Sequence, residues 1–230
     1  MRRLLAIDTS GPALSVAVAV GPELVACRLE PLVRGHAERL LPTSSLVMAE
    51  AGWRWPDLDL VVVTLGPGNF TGLRAGIAVA RALCLTLGIP ALGLGTLETV
   101  AEAAAARSTR PDLPLLAAMD ARRDEFYAQT FAPDLVPRGP VELVRRQDLP
   151  GRVESPCRLA GDAAAALATQ LQGVHEAVES GPDARYAARL AWRRLASGAR
   201  PRRGTALRPL YIRPPDAKLS AGASLVAASS

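Results

Sequence analysis

The residues best placed to do chemistry form one stretch, Gly66-Pro67-Gly68-Asn69-Phe70-Thr71-Gly72-Leu73-Arg74-Ala75-Gly76. An all-apolar run, Leu60 to Leu65, leads into it, and a helical pattern, Thr71 to Leu87, leads out. A strand, a glycine loop and a helix start bring backbone N–H groups and a positive helix end to one point. An anion, a phosphate or a partner's backbone could dock there. No Gly-Lys-Ser/Thr follows, so the loop is not a Walker A motif. Its glycine spacing also departs from the dinucleotide fingerprint. Other catalytic sets are missing from the pattern. His36 and His175 lie far apart, and Ser10, Ser44 and Ser45 have no His/Asp companion at nucleophile-elbow spacing. Zinc ligands are too few.

The helix after the loop carries Gly72, Gly76, Ala80, Cys84 and Gly88 at every fourth position. An interior glycine costs about 1 kcal/mol against alanine. Two in adjacent turns imply close approach of another element, either inside the chain or in a second subunit. Arg74 and Arg81 flank this stripe, and Leu40 sits on the neighbouring helical pattern, His36 to Ala51.

The elements that must position these residues follow in order. Leu4 to Asp8, Leu14 to Val20 and Leu24 to Leu29 read as strands separated by Gly-Pro turns. A helix over His36 to Ala51, a strand over Leu58 to Leu65, a helix ending at Gly88, a strand over Ala91 to Leu94 and a helix over Thr96 to Arg107 follow. This β-β-β-α-β-α-β-α order is that of a ribonuclease-H-like core. Leu115 to Asp120, Glu125 to Phe131, Val141 to Val144 and Cys157 to Ala160 restart it, with an alanine-rich helix after Gly161-Asp162. The predicted fold class is therefore α/β, a duplicated ribonuclease-H-like fold of the actin, sugar-kinase and Hsp70 (ASKHA) kind, in two lobes. Residues 1–108 form the dimerising N-terminal lobe and 109–182 a shorter second lobe. Residues 183–213 form a helix and closing segment, and 214–230 a fraying tail. In ASKHA proteins the acid ending the first strand of each half handles metal and phosphate. Asp8, with Thr9 and Ser10, and Asp120 hold those places, and either acid could instead cap a turn. Gly66, Gly68, Thr71 and Gly161 complete the candidate nucleotide or anion loop.

Composition narrows the classes. The 230 residues are 49% apolar and 4% aromatic, so the core is built from Ala, Leu and Val. No run of about 18 apolar residues predicts a membrane span, and Asp8 stops the N-terminal apolar run too early for a signal peptide. Cys27, Cys84 and Cys157 show no C-x-x-C pairing, as for reduced thiols of a cytoplasm. The net charge is +5, and Arg185 to Arg213 holds nine Arg with no acid. That segment reads as a nucleic-acid surface or as a solvated helix face with a basic tail. The absence of interleaved aromatics favours the latter.

Leu5-Ala6-Ile7-Asp8-Thr9-Ser10, His36 to Pro42, Gly66 to Arg74, Ala80 to Leu87, Met119 to Tyr127 and Pro209-Leu210-Tyr211-Ile212-Arg213 together resemble the TsaB family. The resemblance implies a non-catalytic scaffold in the machinery that makes threonylcarbamoyladenosine at position 37 of tRNA. It would pair with a TsaD-like catalytic subunit and a TsaE-like ATPase, with a TsaC-type enzyme supplying the activated intermediate. It further implies a cytoplasmic protein that is a homodimer when alone, touches tRNA weakly or indirectly, meets no membrane, and holds no cofactor unless ATP or ADP sits at the partner boundary. The implied interface residues are Leu40, Gly72, Arg74, Gly76, Ala80, Arg81 and Cys84. TsaD-like chains carry Asn-His-Leu-Glu-Gly-His where this chain has Gly95-Thr96-Leu97-Glu98-Thr99-Val100, so Thr96 and Val100 replace two metal-binding His. The alternative is an ASKHA phosphotransferase or ATPase using Asp8 and Asp120.

Overall fold

The computed structural model describes residues 2–32, 35–152, 154–171 and 174–213. The tail expected after Pro214 lies outside them. The first sheet contains β1 (Arg3–Asp8), β2 (Ala13–Val20), β3 (Glu23–Pro31), β4 (Leu60–Gly66) and β5 (Ala91–Gly95), in the order β3-β2-β1-β4-β5. The second contains β6 (Leu115–Asp120), β7 (Glu125–Phe131), β8 (Glu142–Arg145), β9 (Cys157–Gly161) and β10 (Val174–Glu179), in the order β8-β7-β6-β9-β10. In both, two antiparallel pairings precede two parallel ones. The duplication expected from sequence is thus present strand for strand. β1 and β4 are buried on both faces, which explains their unbroken apolar runs.

The helices make alternating layers. α1 (His36–Glu50) and α2 (Phe70–Leu87) cover the outer face of the first sheet, where Leu40, Val47, Ile77 and Ala80 join Leu5, Ile7, Val61 and Val63. α5 (Ala184–Ala196) covers its inner face through Ala184, Ala187, Ala188 and Ala191. α3 (Thr96–Ala105) lies beside α5 and packs Leu97, Val100 and Ala101 on the second sheet. α4 (Ala164–Ala168) covers that sheet's outer face. The alanine faces of α3 and α5 let two sheets and a helix layer stack closely with few aromatics. α3, placed in the first lobe by sequence, packs between the two sheets and contacts both.

The second lobe is the reduced copy. Between β8 and β9 the described residues form two one-turn 3-10 segments, Arg146–Asp148 and Pro150–Arg152, where the first lobe has α1. β10 was not read from sequence, because Val174-His175-Glu176-Ala177-Val178-Glu179 mixes charge into a short run. α2 bears on the membrane expectation. By length and composition alone it could span a bilayer, with 18 residues and mean hydropathy 1.4. Arg74 and Arg81 interrupt it, and Leu73, Ile77, Ala80 and Cys84 lie in the first lobe's core.

Residues 202–213 form a strap. Arg202 exchanges backbone hydrogen bonds with Ala91 at 2.7 and 2.8 Å, and Leu210 N donates to Leu65 O at 2.7 Å. Arg213 then reaches the second lobe, where Nη1 donates to Ala121 O at 2.8 Å and Nη2 pairs with Glu125.

Candidate functional site

The Gly-Pro-Gly loop is pressed onto the end of β1. Asn69 N donates to Ser10 O at 2.7 Å, and the Asn69 side chain caps α2 by accepting from Thr71 N and Gly72 N, both at 3.1 Å. Thr9 Oγ1 donates to Gly72 O at 2.8 Å. A Cβ on Gly68 would strike Ser10 O, and one on Gly72 would strike Thr9 O. These glycines exist for close approach of backbone to backbone. Asp8 is fully enclosed, and its Oδ1 accepts from Ser10 N and Ser10 Oγ, each at 3.0 Å. Burial raises its pKa. The hydrogen bonds from Ser10, and the nearby Thr64 hydroxyl, which lies short of hydrogen-bond geometry, oppose this with weaker influence. Of the anion loop expected around Asp8, Thr9, Ser10, Gly66, Gly68 and Thr71, the donors Ser10 N, Thr9 Oγ1 and Thr71 N are engaged within the chain.

The second lobe repeats the arrangement in looser form. Gly66 ends β4 at φ 118°, and Gly161 ends β9 at φ 121°. A Cβ on Gly161 would strike Ala118 O. Asp120 is exposed, its N donates to Asp162 Oδ1 at 3.1 Å, and its Oδ1 accepts from Arg122 N at 2.8 Å. Among the described residues no hydrogen bond joins Asp8 and Asp120. The turn after Asp120 is strained: Arg122, Arg123 and Asp124 have φ of 62°, 57° and 60°. Left-handed backbone costs a non-glycine residue about 1–2 kcal/mol. Arg146 N, donating to Asp124 O at 2.9 Å, and Arg213, on Ala121 O, hold the turn.

The α2 stripe faces inward. Gly76 lies against Thr9, Ala80 is wholly buried, and Cys84 abuts Gly204 of the strap. Leu40 is wholly buried too. Gly72, Gly76, Ala80, Cys84 and Leu40 therefore hold the monomer together, which corrects their reading as direct subunit contacts. Arg81 donates to Leu207 O, and Arg74 Nε donates to Tyr211 Oη at 2.9 Å, so both pin the strap. The outward side of these helices carries Leu41, Leu46, Ala78, Ala82 and Leu85, the last 82% exposed. The arginine-rich segment is largely committed within the fold. Arg185 pairs with Asp183, Arg189 and Arg193 with buried Glu102, Arg194 with Glu98 and Arg213 with Glu125.

One open concavity remains by the loop. Pro67, Gly68, Phe70 and Arg74 line it from the first lobe, Tyr127 from the second, and Leu210 to Arg213 from the strap. Sequence reading assigned Gly68 to the anion loop and Arg74 to the subunit interface, and quoted the other positions inside longer motifs without a site. Their signal was an aromatic and an arginine in each of three separate motifs.

Comparison with known proteins agrees with this geometry. Residues 30–134 match the family model described as TsaD: tRNA N6-adenosine threonylcarbamoyltransferase. The tRNA threonylcarbamoyladenosine biosynthesis protein TsaB of Escherichia coli (strain K12) is 37% identical over 134 residues, covering 57% of this chain and 56% of that protein. The uncharacterized protein Rv3421c of Mycobacterium tuberculosis is 40% identical over 139 residues, 60% of this chain and 63% of the other. YeaZ from Pseudomonas aeruginosa superposes with a TM-score of 0.79 at 29% identity, over 92% of this chain and all of that one. The chain is similar to TsaB and YeaZ proteins in both sequence and fold. The matched stretch spans less than two thirds of the curated relatives' length. In this TsaB/YeaZ-like chain the two specific motifs fall at the cleft. Gly66 to Arg74 forms the loop and first turn of α2, and Asp120 to Tyr127 forms the strained turn and β7. Thr96 and Val100, which the sequence resemblance sets where TsaD-like chains would carry His, are wholly buried in α3.

Proposed function

We propose that this chain is a non-catalytic subunit of the tRNA threonylcarbamoyladenosine machinery, acting in the cytoplasm as the partner of a TsaD-like catalytic subunit. The observation that carries the reading is the pair Thr96 and Val100, enclosed in the α3 layer where a TsaD-like chain presents imidazoles. Neither residue is positioned or equipped to hold a metal. The enclosure of Asp8 favours the same reading over the phosphotransferase alternative, because its carboxylate is buried against Ser10, and Thr71 N and Gly72 N are engaged by Asn69.

The partner would sit on the outward side of α1 and α2, where Leu41, Leu46 and Leu85 are exposed beside small residues. A catalytic paralogue of the same fold offers a matching helix pair, and a second copy of this chain would use the face when the paralogue is absent. A TsaE-like ATPase would join this pair. ATP would bind at the boundary with the partner rather than in this chain's Asp8 loop. The test is co-purification with TsaD-like and TsaE-like subunits, with and without ATP, followed by assay of tRNA modification. A pairwise complex that recruits the ATPase with ATP is expected. Modification of tRNA by the isolated chain would overturn the reading.

A further inference from the structure

The first sheet ends on one side in β3, and among the described residues no strand pairs with its outer edge. The opposite edge, β5, is bridged by Arg202 of the strap. β3 runs nine residues and is the longest of the described strands. An open edge of this length is a template for further pairing unless it is bulged or guarded by Lys or Pro. β3 has no Lys, and its Pro31 stands at the very end. Its register shift is confined to the start, between the Val18–Ala26 and Ala19–Leu24 pairs. Leu29, 49% exposed, sits in the regular remainder.

The ladder fixes which backbone groups point outward. Leu32 N donates to Pro12 O at 3.0 Å, and the same register sets Glu30 opposite Leu14 and Arg28 opposite Val16. Bonded and non-bonded pairs alternate along an antiparallel ladder. Arg28 and Glu30 therefore turn their N–H and C=O groups to β2. Cys27 and Leu29 turn theirs to the open side, and the Pro31 carbonyl points the same way. Side chains alternate between faces as well. Arg28 and Glu30 lie on the α1 face, where Arg28 pairs with Glu50 and Glu30 with Arg39. Cys27, Leu29 and Pro31 form an apolar strip on the other face.

We propose that this edge pairs antiparallel with the same edge of a second copy, about a two-fold axis at Leu29. In that register Leu29 meets its own counterpart, and each Cys27 meets a Pro31. The two Leu29 backbones exchange hydrogen bonds across the axis, and each Cys27 N–H reaches a Pro31 carbonyl. On the other face each Arg28 stands opposite a Glu30, a favourable cross-strand pair. Arg28 reaches Glu50 through Nε and Nη2, which leaves Nη1 for the new carboxylate. An axis at Arg28 would set like charges face to face, and an axis at Cys27 would draw the bulge into the ladder. Charge complementarity on one face and the apolar strip on the other thus select a copy of β3 as the occupant. The inference is independent of the scaffold reading, since it uses none of the outward leucines of α1 and α2.

Sedimentation of the full chain carrying Leu85→Asp tests it, because that change removes self-association through α2. This variant should still dimerise at concentrations up to about 100 µM. Adding Leu29→Pro, which deletes an outward N–H at an edge position that accepts proline, should weaken the dimer at least about tenfold. Leu29→Lys sets two cations at the axis with the backbone unchanged and should do the same. As a single change, Leu29→Lys should leave the melting temperature and capture of the TsaD-like subunit intact. Mild oxidation reads the register. The Cα atoms of a hydrogen-bonded pair lie about 5.5 Å apart, within disulfide reach, so Leu29→Cys in a Cys27→Ser background should give a covalent dimer. Each Cys27 lies four residues from its counterpart along the ladder, about 13 Å, so the parent should give none. A Leu85→Asp variant that stays monomeric would overturn the proposal. So would a dimer indifferent to both Leu29 substitutions, or a parent dimer cross-linked through Cys27. Leu29-dependent capture of the TsaD-like subunit without self-pairing would assign the edge to a foreign strand and overturn the choice of occupant.

Discussion

Arg213 donates from Nη1 to the carbonyl of Ala121 at 2.8 Å, so the strap anchors the turn that opens the second lobe's hairpin. The same guanidinium pairs with Glu125, only 20% and 25% of the two side chains being exposed. Arg213→Ala removes both contacts from a partly shielded site and should destabilise the protein by about 1–3 kcal/mol. Amide exchange at residues 121–125 should accelerate more than elsewhere. Lysine at this position keeps charge without the fork and should restore only part of the protection. Unchanged exchange in the alanine variant would remove the strap from this role.

Gly76→Leu should damage folding rather than partner choice. Even a Cβ there meets the Thr9 hydroxyl, with Ile7 Cγ2 at 3.7 Å. Overpacking of this kind costs about 1–3 kcal/mol or more. Denaturant titration is the measurement, and a midpoint equal to the parent's would contradict the inward stripe.

Leu85→Asp is the complementary change. At 82% exposed, Leu85 contributes little to the monomer core. The variant should melt within about 0.5 kcal/mol of the parent, yet lose pull-down of the TsaD-like subunit. Retained pull-down would move the interface elsewhere.

Asp8→Asn should stabilise the protein at neutral pH. Burial raises the Asp8 pKa in the folded chain. An acid raised in this way favours folding below its unfolded pKa, and the benefit is lost as pH rises through the folded value. The parent therefore bears the cost of a buried charge at pH 7, and the asparagine variant does not. Its melting temperature should exceed the parent's at pH 7, and the difference should shrink toward pH 4. A gap that widens on acidification would show Asp8 to be stabilising as a carboxylate.

Thiol labelling should separate the three cysteines. Burial pushes the Cys84 thiol up to about 11, and burial followed by the Glu154 charge raises Cys157. Cys27, half-buried on β3, should react first with an aromatic disulfide at pH 8, and the other two should react only on unfolding. Three fast thiols in the native protein would contradict the packing around α2 and β9.

The fold was largely legible because β1 and β4 carry unbroken apolar runs and α2 ends at Gly88 with Pro90 beyond, signals set by local chemistry. The strand Val174–Glu179 was not, since its pairing with β9 comes from tertiary placement rather than alternation. The stripe on α2 was visible as a stripe, but spacing does not say what approaches it. Thr9, sixty-odd positions away along the chain, supplies the answer through its bond to Gly72. The open hollow was hidden for the same reason, since Phe70, Tyr127 and Tyr211 meet only after the strap closes.

The shared layer of α3 and α5 has a consequence for biosynthesis. β1 and β4 are translated early, but α5, which shields their inner side, is made only after the whole second sheet. At ordinary rates of synthesis, the stretch from Gly95 to Ala184 occupies the ribosome for roughly 5–20 seconds. Throughout that interval a greasy sheet face awaits its cover, which makes the nascent chain a natural client for chaperones at the tunnel exit.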